Sequence, residues 1–113
     1  MKRVIRLAAA DDIAQALGFY ATRGRRLATD FIAEIDHALR LIEGYPQLGP
    51  RVVAGYRRIP LSRFPYFVYY RIDAPKRVIE VVAVTHQSRR PNFWRARIEE
   101  AVAEYLLPGR AAC

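Results

Sequence analysis

The most regular hydrophobic pattern of the chain lies between residues 28 and 42. Seven apolar residues recur there at steps of three and four: Ala28, Phe31, Ile32, Ile35, Ala38, Leu39 and Ile42. This spacing is typical of one face of a helix, and the charged residues between them fall off that face. Gly44 is placed to end the helix in the left-handed conformation, and Pro46 prevents the helix from resuming.

A second amphipathic segment precedes it. Ile13, Leu17 and Tyr20 follow helical spacing, with alanines on the same side, and Asp11 and Asp12 stand where acidic side chains favour a helix N-terminus. Residues 22–24 break the pattern. The two predicted helices, joined by a tight turn, must pack as an antiparallel hairpin whose apolar faces need a sheet to cover them.

The remaining elements are predicted as strands and one last helix. A short strand over 4–7 precedes the helices, and three strands follow them, over 56–59, 66–72 and 78–86. The short connection over 73–76 predicts that the last two strands form an antiparallel hairpin, and the apolar content of 78–86 makes it the central strand. An amphipathic helix is predicted over 92–107. The fold class is therefore α+β, with a three-stranded antiparallel sheet, in a single domain over 1–113.

The charge is concentrated in one part of the chain. The net charge is +8, and residues 44–98 carry eleven basic side chains against only Asp73 and Glu80. Such a concentration attracts polyanions or an acidic protein, although a basic face that serves only solubility would look the same. The lone cysteine, Cys113, excludes an internal disulfide. Because no segment has the length of a membrane span and no export signal is visible, we predict a cytoplasmic protein without a membrane partner.

An ordered set of short motifs resembles the RelE/ParE toxin superfamily. These motifs open the first predicted helix, lie within and after the second, and lie in the last three predicted strands and just beyond them. They are Ala10-x-Asp12-Ile13, Phe31 with Leu39, Tyr45-Pro46-x-Leu48-Gly49, Arg58, Tyr69-Tyr70-Arg71-Ile72, Val81 to Pro91, and Trp94. The ending His86-Gln87-x-Arg89-Arg90-Pro91-x-x-Trp94 is more similar to the ParE branch, often described as plasmid stabilisation proteins, than to the RelE branch.

The resemblance implies the toxin component of a type II toxin–antitoxin system, held inactive by a cognate antitoxin with which it forms a hetero-oligomer. ParE relatives characteristically inhibit DNA gyrase by protein–protein contact, whereas RelE relatives cut messenger RNA on the ribosome. Because one fold hosts both activities, the fold alone does not choose between them.

Ribonuclease chemistry needs a base, an acid and cations around the phosphate. His86, Arg58, Arg71 and Arg89 are the candidates, but Gln87 occupies the position where some ribosome-dependent relatives have a tyrosine. Glu80 is expected on the same strand face as His86, about 20 Å away and too distant to pair with it. The set is incomplete. A structural interpretation of His86, as a strand-end histidine bonded to a loop carbonyl, is favoured.

Metal and cofactor sites have little support. The two histidines are isolated, no carboxylates converge, and no glycine-rich phosphate loop occurs, so no metal and no cofactor is predicted.

Partner contacts are expected from exposed arginines and one aromatic residue. Arg57, Arg58, Arg63 and Arg71 would lie near one sheet if the strands pair as predicted, and this patch is a candidate contact for an acidic antitoxin segment or a polyanion. Arg89, Arg90 and Trp94 extend the candidates beyond the last strand. Aromatic residues over 66–70 could stack bases, but a division between the core and a half-exposed face is more usual.

The leading hypothesis is a ParE-like gyrase inhibitor without a catalytic centre. The first alternative is a RelE-like ribosome-dependent endoribonuclease. The second is a basic protein that binds nucleic acid or antitoxin and is not toxic.

Overall fold

The computed structural model describes residues 1–52 and 54–88, which form two helices and a four-stranded sheet. The elements are β1 (Lys2–Ile5), α1 (Leu7–Ala21), α2 (Arg25–Gly44), β2 (Arg57–Pro60), β3 (Tyr66–Asp73) and β4 (Val78–His86). The predicted α+β class is confirmed. The predicted helix over 92–107, together with Arg89, Arg90 and Trp94, lies outside the described residues.

The sheet has the order β1-β4-β3-β2. The β2–β3 and β3–β4 pairs are antiparallel, and β4 is an interior strand, as predicted. The strand before the helices does not stand apart from this sheet. It pairs in parallel with β4, from Lys2 opposite Val78 to Ile5 opposite Val81, so the sheet is mixed and has four strands. Pro60 is tolerated in β2 because this strand forms the other edge of the sheet.

Both helices pack on one face of the sheet. The core between the layers contains Phe31, Ile35, Leu39 and Ile42 from α2, and it contains Ala9 and Ala16 from α1. The strands contribute Ile59, Val68, Tyr70, Ile79, Val81 and Val84. A hydrogen bond also joins the two layers: Asp12 Oδ2 on α1 accepts the backbone N–H of Val84 on β4 at 2.9 Å. We call the other face of the sheet the open face because neither helix packs on it, although its central side chains, Tyr69, Val82 and Ala83, are buried.

The start of α1 differs from the prediction. The helix begins at Leu7, which was expected in the strand and is 89% exposed. Arg6 is extended, and its N–H bonds the carbonyl of Val81 at 3.0 Å, which ends the pairing with β4. The alanine-rich stretch that follows favours helix. Asp11 and Asp12 therefore lie beyond the first turn and do not cap the helix.

Helix α2 confirms the main stripe and corrects its margins. Ile32 is 42% exposed, whereas Glu34, expected off the stripe, is 9% exposed and bonds the loop between β2 and β3. Gly44 does not take the left-handed conformation. The helix ends because the backbone of Tyr45 leaves the helical conformation, while its N–H still bonds the carbonyl of Leu41 at 2.8 Å.

A β-bulge in β4 changes which side chains face the helices. Tyr69 pairs with Ala83 and Tyr70 with Val81, so Val82 is an additional residue on β4. Val82 and Ala83 both belong to the cluster on the open face, and the alternation restarts at Val84. Within the described residues, no helix combines the length and apolarity that a membrane span requires.

Candidate functional site

Arg58 is a half-buried cation on the open face. Register places it opposite Tyr69, so the two side chains share this face. Its guanidinium lies 4.1 Å from the ring centroid of Phe67 and donates a hydrogen bond of 3.3 Å to the hydroxyl of Tyr69. Among the described residues, aromatic groups and not a carboxylate hold this charge, so it can still act on an anionic partner.

Arg71 lies on the same face but is neutralised. Its guanidinium contacts Glu80 at 3.2 Å and Asp73 at 3.4 Å, and both carboxylates are largely buried. Arg6 contacts the other oxygen of Glu80 at 3.5 Å. Burial acts to lower the pKa of Arg71, but the charge of Glu80, followed by Tyr56 and Asp73, raises it overall. Arg71 is thus a permanent cation whose charge is used inside the protein.

Tyr56 is a second buried polar group beside this network. It is 4% exposed and belongs to the open-face cluster with Tyr69, Val82 and Ala83. Burial is the largest influence on its hydroxyl and raises its pKa above 10.0, so this hydroxyl stays protonated at neutral pH. It does not provide the general base that RNA cleavage requires.

His86 faces the other way, toward α1. It lines a cleft of about 200 Å³ whose other walls include Asp12, Gln15, Phe19 and Tyr66. Because the bulge shifts the alternation, His86 and Glu80 lie on opposite faces, and the expectation that they share one face is wrong.

The imidazole of His86 is held by a nearby serine and not by the loop carbonyl that the sequence suggested. Its Nδ1 accepts the backbone N–H of Ser88 at 3.1 Å and lies 2.7 Å from the Ser88 hydroxyl. Since a backbone N–H can only donate, Nδ1 is an acceptor and the neutral ring carries its proton on Nε2. The Tyr66 ring packs edge-on against the imidazole, with 5.2 Å between centroids.

Arg57 and Arg63 are engaged elsewhere. Arg57 follows the opposite face from Arg58 and donates 2.8 and 3.3 Å hydrogen bonds to the carbonyls of Gly49 and Gln47. Arg63, in the loop between β2 and β3, contacts Glu34 at 3.5 Å. The four arginines do lie in or beside the sheet, but they do not form one patch, because of these four only Arg58 and Arg71 share the open face.

The candidate nuclease residues are divided in the same way. Arg58 and Arg71 lie on the open face and His86 lies in the cleft on the helix side, while Arg89 is outside the described residues. In the part of the chain that the structure describes, no group of three His, Cys, Asp or Glu side chains could hold a metal ion. The described arrangement places the two arginines of the open face apart from His86, which shares its cleft with Asp12.

Sequence reasoning missed three arrangements. Asp12 and Glu34 act as acceptors for backbone N–H groups of other elements, and isolated carboxylates carry no signal of such partners. The Tyr45–Gly49 motif is tied to β3 through the Tyr70 hydroxyl. Three arginines, Arg23, Arg25 and Arg26, surround the turn between the helices, and this cluster was visible in the sequence.

Comparisons with known proteins agree with this geometry. A family model described as the ParE toxin of the type II toxin–antitoxin system parDE matches residues 4–91. A chromosomal ParDE toxin–antitoxin system from P. aeruginosa is similar, with a TM-score of 0.56 and 16% identity over 76% of this chain and 95% of that chain. The isolated RelE toxin of E. coli has a TM-score of 0.57 and 17% identity over 93% of this chain and 98% of its own. No curated sequence matches significantly.

At these identities the two solved structures establish the fold alone. The family match is independent of them and spans most of the chain, from the first strand to just beyond the last. With a helical hairpin braced against an antiparallel meander, and a family match over that same stretch, this chain belongs to the ParE toxin family of type II toxin–antitoxin systems.

Proposed function

We propose that this protein is the toxin of a type II toxin–antitoxin pair, that it inhibits DNA gyrase by protein–protein contact, and that a cognate antitoxin neutralises it in a hetero-oligomer. The observation that carries the proposal is the division of the chemistry between two faces. His86 lies in the cleft beside α1, whereas Arg58 and Arg71 lie on the open face. The family match to ParE toxins supports the same choice of target.

RNA cleavage would need the proton-transferring groups and the cations around one phosphate. Arg71 is already paired with two carboxylates, and the buried hydroxyl of Tyr56 is held in its protonated form. A binding function has weaker demands, because it requires only an accessible surface of complementary chemistry. Arg58 and Phe67 are half-buried and stack on one another, and their exposed parts offer such a contact, since arginine and aromatic residues often dominate the energy of protein interfaces.

We place the contact with gyrase on the open face around Arg58, and we keep Arg89, Arg90 and Trp94 as proposed contacts that follow β4 in the chain. Arg57, Arg63 and Arg71 act first within the fold, since each is engaged with carbonyls or carboxylates. The proposed target places the toxin in the cytoplasm.

The test is a pair of assays on the same purified protein: DNA supercoiling by gyrase, and messenger RNA cleavage on programmed ribosomes. We expect the wild type to inhibit supercoiling and to leave the RNA intact. Arg58→Gln should weaken inhibition about tenfold, as expected for a central interface arginine. Arg77→Gln is the matched control, since Arg77 is exposed in the turn between β3 and β4 and does not belong to the open-face cluster. His86→Ala should inhibit normally.

Two outcomes would contradict the proposal. Codon-positioned cuts that disappear in His86→Ala would support the RelE-like ribonuclease. Inactivity in both assays, with no growth defect when the protein is expressed, would support the non-toxic basic binding protein. A short acidic protein encoded beside the toxin gene would support the toxin–antitoxin pair without choosing the target.

A further inference from the structure

Most arginines of the described chain are neutralised or engaged within the fold. Arg3, Arg6, Arg40, Arg63 and Arg71 each contact a carboxylate. The turn between α1 and α2 is different. Among the described residues, Arg25 and Arg26 contact no carboxylate, and Arg23 donates only to the carbonyl of Phe19 and the hydroxyl of Thr22. Three cations within four residues therefore concentrate positive potential at this end of the hairpin.

This placement works against the stability of α2. Arg25 and Arg26 are its first two residues, where the positive end of the helix dipole favours acidic side chains. The preceding Gly24 provides no side-chain cap, and the first turn contains no acidic residue. Among the described residues no carboxylate compensates for this arrangement, and breaks of local rules of this kind are expected at functional or strained sites.

Apolar groups accompany these cations. Phe19 is 49% exposed and Leu27 is 40% exposed, three residues before Thr22 and three residues after Gly24. The guanidinium of Arg23 lies 3.5 Å from the ring centroid of Phe19, so this arginine is already ordered before a partner arrives. We name these five residues, Phe19, Arg23, Arg25, Arg26 and Leu27, the hairpin tip.

We propose that the hairpin tip is a docking surface for an acidic, amphipathic segment of the antitoxin. The unpaired cations attract carboxylates, and the exposed phenyl and leucine groups favour a partner that also carries apolar side chains. A DNA backbone would use the arginines alone, whereas a protein segment uses both. The inference rests on the proposed function only for the existence of an antitoxin, and it does not depend on gyrase.

The positive charge of the protein favours the antitoxin as the partner that occupies the hairpin tip. A toxin with a net charge of +8 is neutralised most directly by an acidic partner, and exposed unpaired charges raise the rate at which such a partner associates. The hairpin tip is also distinct from the open face around Arg58, so the antitoxin could hold the toxin there while another part of it covers the proposed gyrase contact.

The test measures association of the purified toxin with the immobilised protein encoded by the neighbouring gene, at several salt concentrations. The variant Arg23→Gln/Arg25→Gln/Arg26→Gln should associate about tenfold more slowly at low salt, and the difference should shrink as salt screens the charges. Leu27→Ser should instead speed dissociation, because it removes apolar contact and no charge. Circular dichroism melting of each variant checks that the fold is retained.

The matched control is Lys2→Gln/Arg51→Gln/Arg77→Gln, which removes the same charge from exposed positions away from the hairpin tip. An equal slowing in both triple variants would mean that only net charge matters, and the surface would be refuted. Association of the tip triple variant with the antitoxin at the wild-type rate would also refute it. So would a tip triple variant that no longer binds a 20-base-pair DNA duplex but still binds the antitoxin normally. If the neighbouring protein does not bind even the wild type, the proposed function fails, which is a distinguishable result.

Discussion

The phenol oxygen of Tyr70 lies between two backbone groups of the loop that follows α2. It accepts a hydrogen bond of 3.0 Å from the N–H of Gly49 and donates one of 2.8 Å to the carbonyl of Pro46. Burial is the main influence on this hydroxyl and raises its pKa, so it remains a donor at neutral pH. The loop is thereby held against β2 and β3, and only a residue without a side chain fits at Gly49.

Gly49→Ala should destabilise the protein. The added Cβ would lie 2.5 Å from the carbonyl oxygen of Arg58, which is backbone and cannot move without disturbing β2. We expect the free energy of unfolding to fall by about 1–3 kcal/mol, the usual cost of forced overpacking, measured by urea denaturation. Gly44→Ala is the control, because nothing lies within 4 Å of its added Cβ. Equal stability of the two variants would show that the loop yields freely.

The arginines of the open face should differ in their effect on stability. Arg71→Gln leaves the buried carboxylate of Glu80 with fewer partners, so the free energy of unfolding should fall by about 1–3 kcal/mol. Arg58→Gln should change it far less, since Arg58 contacts a ring face and a hydroxyl. Thermal and urea unfolding of both variants checks this. A larger fall in the free energy of unfolding for Arg58→Gln than for Arg71→Gln would contradict this prediction.

At the scale of elements, α2 combines a strong core face with a poor beginning. Its buried stripe packs against the sheet, and this tertiary contact stabilises a helix whose first turn is unfavourable. In the sheet, the bulge of β4 decides which face each later side chain of that strand occupies. It turns Val84 toward the helices and His86 into the cleft, while Glu80 remains on the open face.

Arg25→Glu should stabilise the isolated toxin. A carboxylate at the first position of α2 interacts favourably with the positive end of the helix dipole, so the free energy of unfolding should rise by about 0.3–1 kcal/mol at low ionic strength. Urea denaturation at low and high salt measures the gain and its screening. The same change should slow association with the antitoxin. A destabilised variant would mean that Arg25 already stabilises the helix.

At the scale of the whole molecule, Glu34 joins the helical layer to the connection between β2 and β3. Its Oε1 accepts the backbone N–H groups of Ser62 and Arg63 at 2.6 and 2.8 Å, and Arg63 contacts the second oxygen. Burial acts to raise the pKa of this carboxyl, but the hydrogen bonds from Arg63 and Ser62 outweigh it, and the pKa lies below its ordinary value of 4.5.

The lowered pKa of Glu34 makes the free energy of unfolding depend on pH. A carboxyl whose pKa is lower in the folded chain contributes stability above pH 4.5, and this contribution disappears as the pH falls through the folded value. Glu34→Gln should lower the free energy of unfolding by about 1.5–3 kcal/mol at pH 7, with a smaller difference from wild type at pH 3. Asp36→Asn is the control, because the half-exposed carboxylate of Asp36 contacts Arg40 and Arg3 and accepts no backbone N–H group of another element among the described residues. A pH-independent difference would exclude the carboxylate as the cause.

Much of the fold was predictable from the hydrophobic pattern of the sequence. The bounds of β4 and the antiparallel pairing of β3 with β4 match the predictions, because a nine-residue apolar run and a short turn are local signals. The first residue of α1, Leu7, was wrongly predicted as strand, and Gly44 ends α2 as predicted but without the left-handed conformation expected there. The candidate site was predictable only as a set of residue types. The placement of Arg58 apart from His86 depends on the sheet.

The sequence by itself determined the helical hairpin, the meander and the excess of arginine, because hydrophobic periodicity and composition are properties of neighbouring residues. Tertiary structure decided which arginines keep their charge available and which side of the sheet each group faces. One additional residue in β4 reversed the alternation between Glu80 and His86. Ion pairs and a bulge depend on residues far apart in the chain, and only folding brings those residues together.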